Sequence, residues 1–422
     1  MTTTARHQGT SPMPPVPSVG QPAPRSRQLP LAWFAAFMAL SLVAWLYQQI
    51  NFAGSLDNGI PIPDVINITR TFDNLSLTGG LDQDDNQFLG LSLLFGWTWL
   101  VHPSLCFLVN AALMAWATKI YTQQFIDKFQ LPVWSIVGVL GNPYLALAMV
   151  GPNKEIPLLL LTLIYFKIVS ERRASWPLAA ALTGVAVFMF RDGYGAFLMG
   201  STLLLLILQF RSKSYALIAC IVCALVAALF GILANLVPIL SRNNEGFQLL
   251  ETGNLAVGAL ADLLGLDPFS PIGGLAMFGL RLVYNLTSLA LFPIYETTGG
   301  TYWIGWAYWI AGLISLVCIP ACIAVLLTSK SARSPLLLCA ALAVSAWFMV
   351  SVSLFVQPRY LMPVFPYAVA VFSSSPTRIR KNCLRVALMF TVIIVVGYRM
   401  IDRAPPLAEP DSFTSPSYVL QP

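Results

Sequence analysis

Residues 131–173 read LPVWSIVGVL GNPYLALAMV GPNKEIPLLL LTLIYFKIVS ERR. Two apolar runs, 131–150 and 156–170, flank the interruption Gly151-Pro152-Asn153-Lys154-Glu155, and the second run stops at Arg172 and Arg173. Apolar runs of about 17–25 residues match the thickness of a bilayer's hydrocarbon core. Similar runs recur from residue 30 to residue 400 of the 422-residue chain. Apolar residues make up 57% of the sequence and charged residues only 10%, against about 25% charged in soluble domains. Mean hydropathy is +0.72. The fold class expected is therefore all-α, a polytopic transmembrane helical bundle.

Composition also limits the chemistry. The net charge of +6 is spread over short loops, with no basic face for nucleic acid to bind. The seven cysteines lie in or at the ends of apolar segments, and Cys220 and Cys223 form a C-x-x-C inside one of them. They read as small core residues rather than as a redox or metal site. The two histidines are His7, in the tail, and His102, beside Pro103. Chemistry must then come from carboxylates, Lys, Arg and Tyr.

Residues 1–28 are Pro-rich without apolar periodicity and read as a disordered cytoplasmic tail. The membrane domain is expected over 29–400, with a first span at 30–49, outer loops at 50–86 and 239–302, and an outer tail at 401–422. The 50–86 loop holds Asp57, Asp64, Asp73, Asp82, Asp84 and Asp85, six of the chain's 18 acidic residues. That density marks it as the main source of carboxylates.

Orientation follows from the basic clusters Arg25/Arg27, Arg172/Arg173, Arg211/Lys213, Lys330/Arg333 and Arg378/Arg380/Lys381/Arg385, because loops rich in Lys and Arg stay cytoplasmic. If all five face inside, an even number of spans separates neighbours. That requires one segment before Arg172 and one between Lys213 and Lys330 not to cross. The short 88–101 run and the 273–294 run, which carries Arg281 and Asn285, fit as re-entrant or interfacial helices. About eleven spans result. The loop 50–86, the Lys154-Glu155 turn, Arg191-Asp192-Gly193, the 239–302 region and Gln357-Pro358-Arg359-Tyr360 then share the outer face.

Lys154 and Glu155 open a helix, where the macrodipole favours Glu and disfavours Lys. A cation kept there fits an anionic ligand such as a phosphate; the plain alternative is a lysine snorkelling to headgroups. Arg191 and Asp192 either form a turn that neutralises itself or belong to the site. Arg359 offers a fork of donors suited to phosphate, in a stretch where Pro358, Pro363 and Pro366 free backbone groups. Asp84 and Asp85, or Asp57, are candidates for a general base on a hydroxyl. They are also compatible with a divalent cation held against phosphate, although nothing fixes its ligands and no cofactor is demanded.

This layout resembles the GT-C superfamily of integral-membrane glycosyltransferases and related membrane proteins of bacterial surface-polysaccharide assembly. The likeness rests on Asp84-Asp85-Asn86-Gln87-Phe88, on Asn142-Pro143-Tyr144 through Lys154-Glu155-Ile156, and on Arg359-Tyr360-Leu361-Met362-Pro363-Val364-Phe365-Pro366. The resemblance implies transfer of a sugar or oligosaccharide from a polyprenyl-phosphate carrier, outside the bacterial inner membrane. Asp84, Asp85 or Asp57 would activate the acceptor. Lys154, Arg359 and Arg191 would hold the phosphate, supported by Glu155, Tyr360 and Arg281. Polymerases of this kind carry two arginine-bearing outer loops, and 239–302, with Arg242 and Arg281, fits one. Two alternatives stay open: a flippase or transporter for a lipid-linked saccharide, and a non-catalytic partner of other polysaccharide-assembly membrane proteins. A transporter predicts mid-span charges and internal repeats, and neither is evident.

Overall fold

Runs of Leu, Ala and Val that have no water to bond their amides satisfy them within helices, and every regular element among the described residues is helical. The computed structural model describes residues 25–52, 71, 88–102, 104–230, 232–233, 265, 270–287, 302–329, 334–352 and 358–400. Asp57, Asp84 and Asp85, nearly all of the 50–86 loop, much of 239–302, and the 401–422 tail lie outside the described residues, as do residues 1–24.

The helices in chain order are α1 (Arg25–Phe52), α2 (Leu89–Val101), α3 (Leu105–Tyr121), α4 (Val137–Leu140), α5 (Pro143–Ala148), α6 (Glu155–Glu171), α7 (Trp176–Phe188), α8 (Asp192–Ile207), α9 (Ser212–Ala228), α10 (Pro271–Thr287), α11 (Tyr302–Thr328), α12 (Pro335–Val352), α13 (Phe365–Ser374) and α14 (Thr377–Met400). A π-helical turn, Thr122–Lys128, extends α3. Helix α1 begins inside the stretch expected to be tail.

Among the described residues, three helical stretches are long and apolar enough to cross a membrane: Leu29–Ile50, Leu105–Lys128 and Pro335–Val352. The further apolar stretches among the described residues are shorter, 10–17 residues, and include Gly312–Thr328, the second part of the 27-residue α11. The helical membrane class stands, whereas a count of eleven does not follow from these lengths. Helix α2, at 13 residues, is about 20 Å long, short of a core about 30 Å thick.

Two apolar runs, 131–150 and 361–375, are not continuous helices. The 131–150 run divides into a 3-10 turn (Val133–Ile136), α4 and α5. Pro143 has no amide to continue a helix, and the Asn142 Oδ1 accepts from the Tyr144 amide at 2.9 Å, restarting one. The 361–375 run opens with a 3-10 stretch, Pro358–Val364, and only ten residues of α13 follow. Pro363 and Pro366 explain the delay.

The broken run still travels the length of its neighbour. At one end the Tyr121 hydroxyl donates to the Ser135 carbonyl at 2.9 Å. At the other, the Asn110 amide donates to Gly151 O at 2.8 Å. Helix α6 then returns, and its last residue, Glu171, accepts from Gln124 Nε2 at 3.3 Å. Helices α7 and α8 form a tight hairpin beside α6. Their contacts put Arg172, Arg173 and Phe210 at one end, and Glu155 and Arg191 at the other.

Buried helices α6, α12 and α13 form the centre. Aromatic rings weld it: Phe125 stacks on Tyr121 at 4.6 Å and on Phe166 at 5.1 Å, and Phe166 meets Tyr367 at 5.3 Å. Thr162 Oγ1 donates to the Pro363 carbonyl at 3.0 Å, and the Tyr367 hydroxyl donates to the Thr162 carbonyl. The outer surface is the reverse. On α9, Leu217, Ile221 and Leu225 repeat every four residues and are exposed, as are Leu178 and Leu182 on α7 and Leu384 and Leu388 on α14. Such continuous apolar faces suit lipid, not water.

Candidate functional site

The end of the bundle where α6 begins collects polar residues from four separate chain segments. Asn110, on α3, donates to the carbonyls of Ala148, Met149 and Gly151 at 3.3, 3.2 and 2.8 Å. One buried amide thereby fixes the loop that leads to Lys154. The side-chain oxygen of Asn153 accepts from the Glu155 amide at 2.8 Å, satisfying a donor that the first turn of α6 would otherwise leave bare. Glu155 is the first residue of that helix, where its charge is favoured.

Lys154 is only 5% exposed and Glu155 1%. The lysine does not snorkel: its ammonium lies 3.7 Å from the centre of the Phe88 ring. That contact stabilises a cation by about 0.5–2 kcal/mol, so part of the reason for a lysine at a helix start is internal to the fold. Phe88 is positioned by the next turn of chain. The Gly90 amide donates to Met189 O at 2.8 Å, and a Cβ on Gly90 would come within 2.9 Å of that oxygen and of the Phe190 ring. Only glycine allows α2 to approach the end of α7 so closely.

Arg191, at the start of α8, completes the cluster. Its Nη2 lies 3.5 Å from Glu155 Oε1, and its guanidinium sits 4.1 Å from the centre of the Tyr360 ring. The Tyr194 hydroxyl donates to the Tyr360 carbonyl, tying α8 to the Pro358–Val364 turn. Arg191 Nη1 is buried and has no hydrogen-bond partner among the described residues. The partner found for Arg191 is thus Glu155, from another helix. The neighbouring Asp192 carboxylate accepts from the Gly193 amide at 2.7 Å.

The structure therefore brings Lys154, Glu155, Arg191 and Tyr360 together. Two cations and one carboxylate share the cluster. Arg359 precedes Tyr360 in the same turn, and its side chain lies outside the described residues, as do Asp57, Asp84 and Asp85. Arg281 makes no contact with this group among the described residues. It is 3% exposed on α10, a helix packed mainly on α9, α11 and α12, near Asn285, whose amide donates to the Ser351 hydroxyl at 3.0 Å. No group of three His, Cys, Asp or Glu residues able to hold a metal is present among the described residues. Cys220 and Cys223 are half-buried, and His102 accepts from the Ser104 amide at 3.2 Å.

Asn110, Gly90 and Tyr194 support the cluster, although the sequence pattern gave none of them a role of its own. Asn110 did carry a signal, since a lone amide in the uncharged run LCFLVNAALMAW must find partners inside the protein. The chain matches no family model, no curated protein and no solved structure.

Proposed function

We propose that this cluster binds the phosphate of a polyprenyl-linked sugar or oligosaccharide, and that the protein is a membrane glycosyltransferase or repeat-unit polymerase. The observation that carries the reading is the convergence of Lys154, Arg191 and the Arg359-Tyr360 turn on one buried end of the bundle, with Arg191 Nη1 unpartnered among the described residues. Asp84 and Asp85 precede Phe88, which lies on Lys154, by four and three residues.

In the proposed step, an acceptor hydroxyl oxygen attacks the anomeric carbon of the lipid-linked sugar. The bond from that carbon to the carrier's phosphate oxygen breaks, and the carrier phosphate leaves with the electron pair. Lys154, Arg191 and Arg359 stabilise the leaving charge in a water-poor site. The hydroxyl proton passes to Asp84, Asp85 or Asp57. The bacterial inner membrane is assigned on the resemblance alone, and about eleven crossings with a cytoplasmic N-terminus on the basic clusters.

One observation favours a second reading, a non-catalytic assembly partner. Lys154 already has the Phe88 ring, and Arg191 already has Glu155 and Tyr360, which is how a purely structural clamp would look. Extraction of lipids from a deletion strain, read by mass spectrometry, separates the possibilities. Carrier bearing a truncated glycan identifies a transferase, and complete single repeat units on the outer leaflet identify a polymerase. The same units held on the inner leaflet indicate a flippase, and an unchanged profile overturns the enzymatic reading. Full activity in both Lys154→Ala and Arg359→Ala, at normal expression, would overturn the assignment of the site.

A further inference from the structure

At the other end of α6 lies a cavity of about 580 Å³. Its two long walls have the same spacing. Trp116, Lys119 and Gln123 on α3 and the π turn stand at i, i+3 and i+7, and Ile164, Lys167 and Glu171 on α6 do likewise, so each set occupies one helix face. Arg173 and Trp176 close the end. The lining thus carries Lys119, Lys167 and Arg173 against the single carboxylate of Glu171, which lies 3.2 Å from Arg173 Nε. Neither lysine has an ion-pair partner among the described residues.

We propose that this cavity holds the phosphate headgroup of an anionic membrane lipid. Its volume is in the range of small-molecule sites, more than a phosphate ion alone requires. Its walls are amphiphilic: Ile164 and Ile168 are apolar, the lysines are cationic, and Trp116 is 53% exposed, as an indole at the headgroup level of a bilayer is. Basic pockets between membrane helices are suited to such headgroups. The two lysines bind the phosphate oxygens, and an acyl chain lies along the isoleucines. The inference is independent of the reaction proposed at the opposite end.

The test uses the full-length protein in detergent, titrated with phosphatidylglycerol, with phosphatidylcholine of the same chains, and with inorganic phosphate, and read by thermal shift and by lipid retained in native mass spectrometry. Phosphatidylglycerol is expected to bind more tightly than phosphatidylcholine. At about one kcal/mol per lysine, Lys119→Ala with Lys167→Ala weakens it about thirtyfold, while Lys119→Arg with Lys167→Arg keeps the preference. Glu171→Gln removes the only carboxylate in the lining and is expected to tighten binding, which gives a readout should the double alanine variant not fold. Equal binding of the two lipids, an undiminished preference in the double alanine variant, or an equal shift with inorganic phosphate would each overturn the proposal.

Discussion

The two ends of α6 carry similar residue types and use them in opposite ways. At the Glu155 end Lys154 and Glu155 are buried and the Arg191 side chain is 16% exposed, and each leans on a ring or on its counter-ion. At the Glu171 end the cations stand around an open cavity, and the Arg173 side chain is 81% exposed. A charge removed from water must be held by its neighbours or lost, whereas a charge left in water costs little to keep. The first end is therefore a rigid part of the fold that function can exploit, and the second is a surface whose charges are free to select a ligand.

The largest effect expected tests that contrast directly. Glu155→Gln leaves the Arg191 guanidinium, 16% exposed at the side chain, without its counter-ion, and loss of one partner of a fully buried pair costs about 3–5 kcal/mol, the upper bound here. A marked fall in thermal unfolding temperature in detergent is the expected result. Replacing both groups by apolar ones, Glu155→Leu with Arg191→Met, is expected to recover most of that loss, because no charge is then stranded. The double variant also sharpens the functional reading. If it folds and sustains wild-type lipid-linked saccharide turnover, the pair is only a clamp; if it folds and is inactive, the charges serve the site.

Next comes the hairpin that carries Arg191. A Cβ on Gly195 would collide with the backbone of Phe188, whereas one on Gly193, two residues nearer the helix start, meets nothing within 4 Å. Gly195→Ala is expected to destabilise by about 1–3 kcal/mol through overpacking, and Gly193→Ala to lie within about 0.5 kcal/mol of wild type. Equal unfolding temperatures for the two variants would mean that α7 and α8 are not packed as described. Asn110→Ala removes the amide that holds three carbonyls and is expected to cost about 1–3 kcal/mol.

How much of this was legible beforehand differs between class and detail. The helical membrane class follows from composition, because a chain with so few charges has nowhere else to put its apolar side chains. The number of crossings was not legible in the same way. An apolar run such as 131–150 is uninterrupted in hydrophobicity, yet Gly141-Asn142-Pro143 breaks it as a helix, and hydropathy averaged over a run is blind to a missing amide. The cluster was half legible. Lys154, Glu155 and Arg191 stand out because charge in an apolar setting is conspicuous. That Glu155, and not the adjacent Asp192, supplies the carboxylate found against Arg191 depends on the packing of α6 against the α7–α8 hairpin, a long-range fact with no local pattern. Phe88 as the seat for Lys154 is of the same kind: the sequence marks it only as the aromatic residue after Asp84-Asp85-Asn86-Gln87, and nothing local pairs it with Lys154.

The smallest effects are expected from the aromatic seat and from the exposed pair. Phe88→Leu keeps the apolar contact with Leu91 and Phe95 and removes the ring face under Lys154, at a cost of about 0.5–2 kcal/mol. Arg173→Ala breaks the ion pair with Glu171, but exposed pairs contribute about 0.2–1 kcal/mol, so unfolding temperature is expected to change little. Salt separates the ends further. Raising ionic strength from low to about 1 M shortens the screening length to about 3 Å, which should erase what little Arg173 contributes while leaving the Glu155–Arg191 pair intact. A salt-dependent unfolding temperature that vanishes in Arg173→Ala and persists in Glu155→Gln would fit that division. Were the dependence to vanish in Glu155→Gln instead, the Glu155 end would be reached by solvent ions, and the description of it as a dry, internally supported cluster would fail.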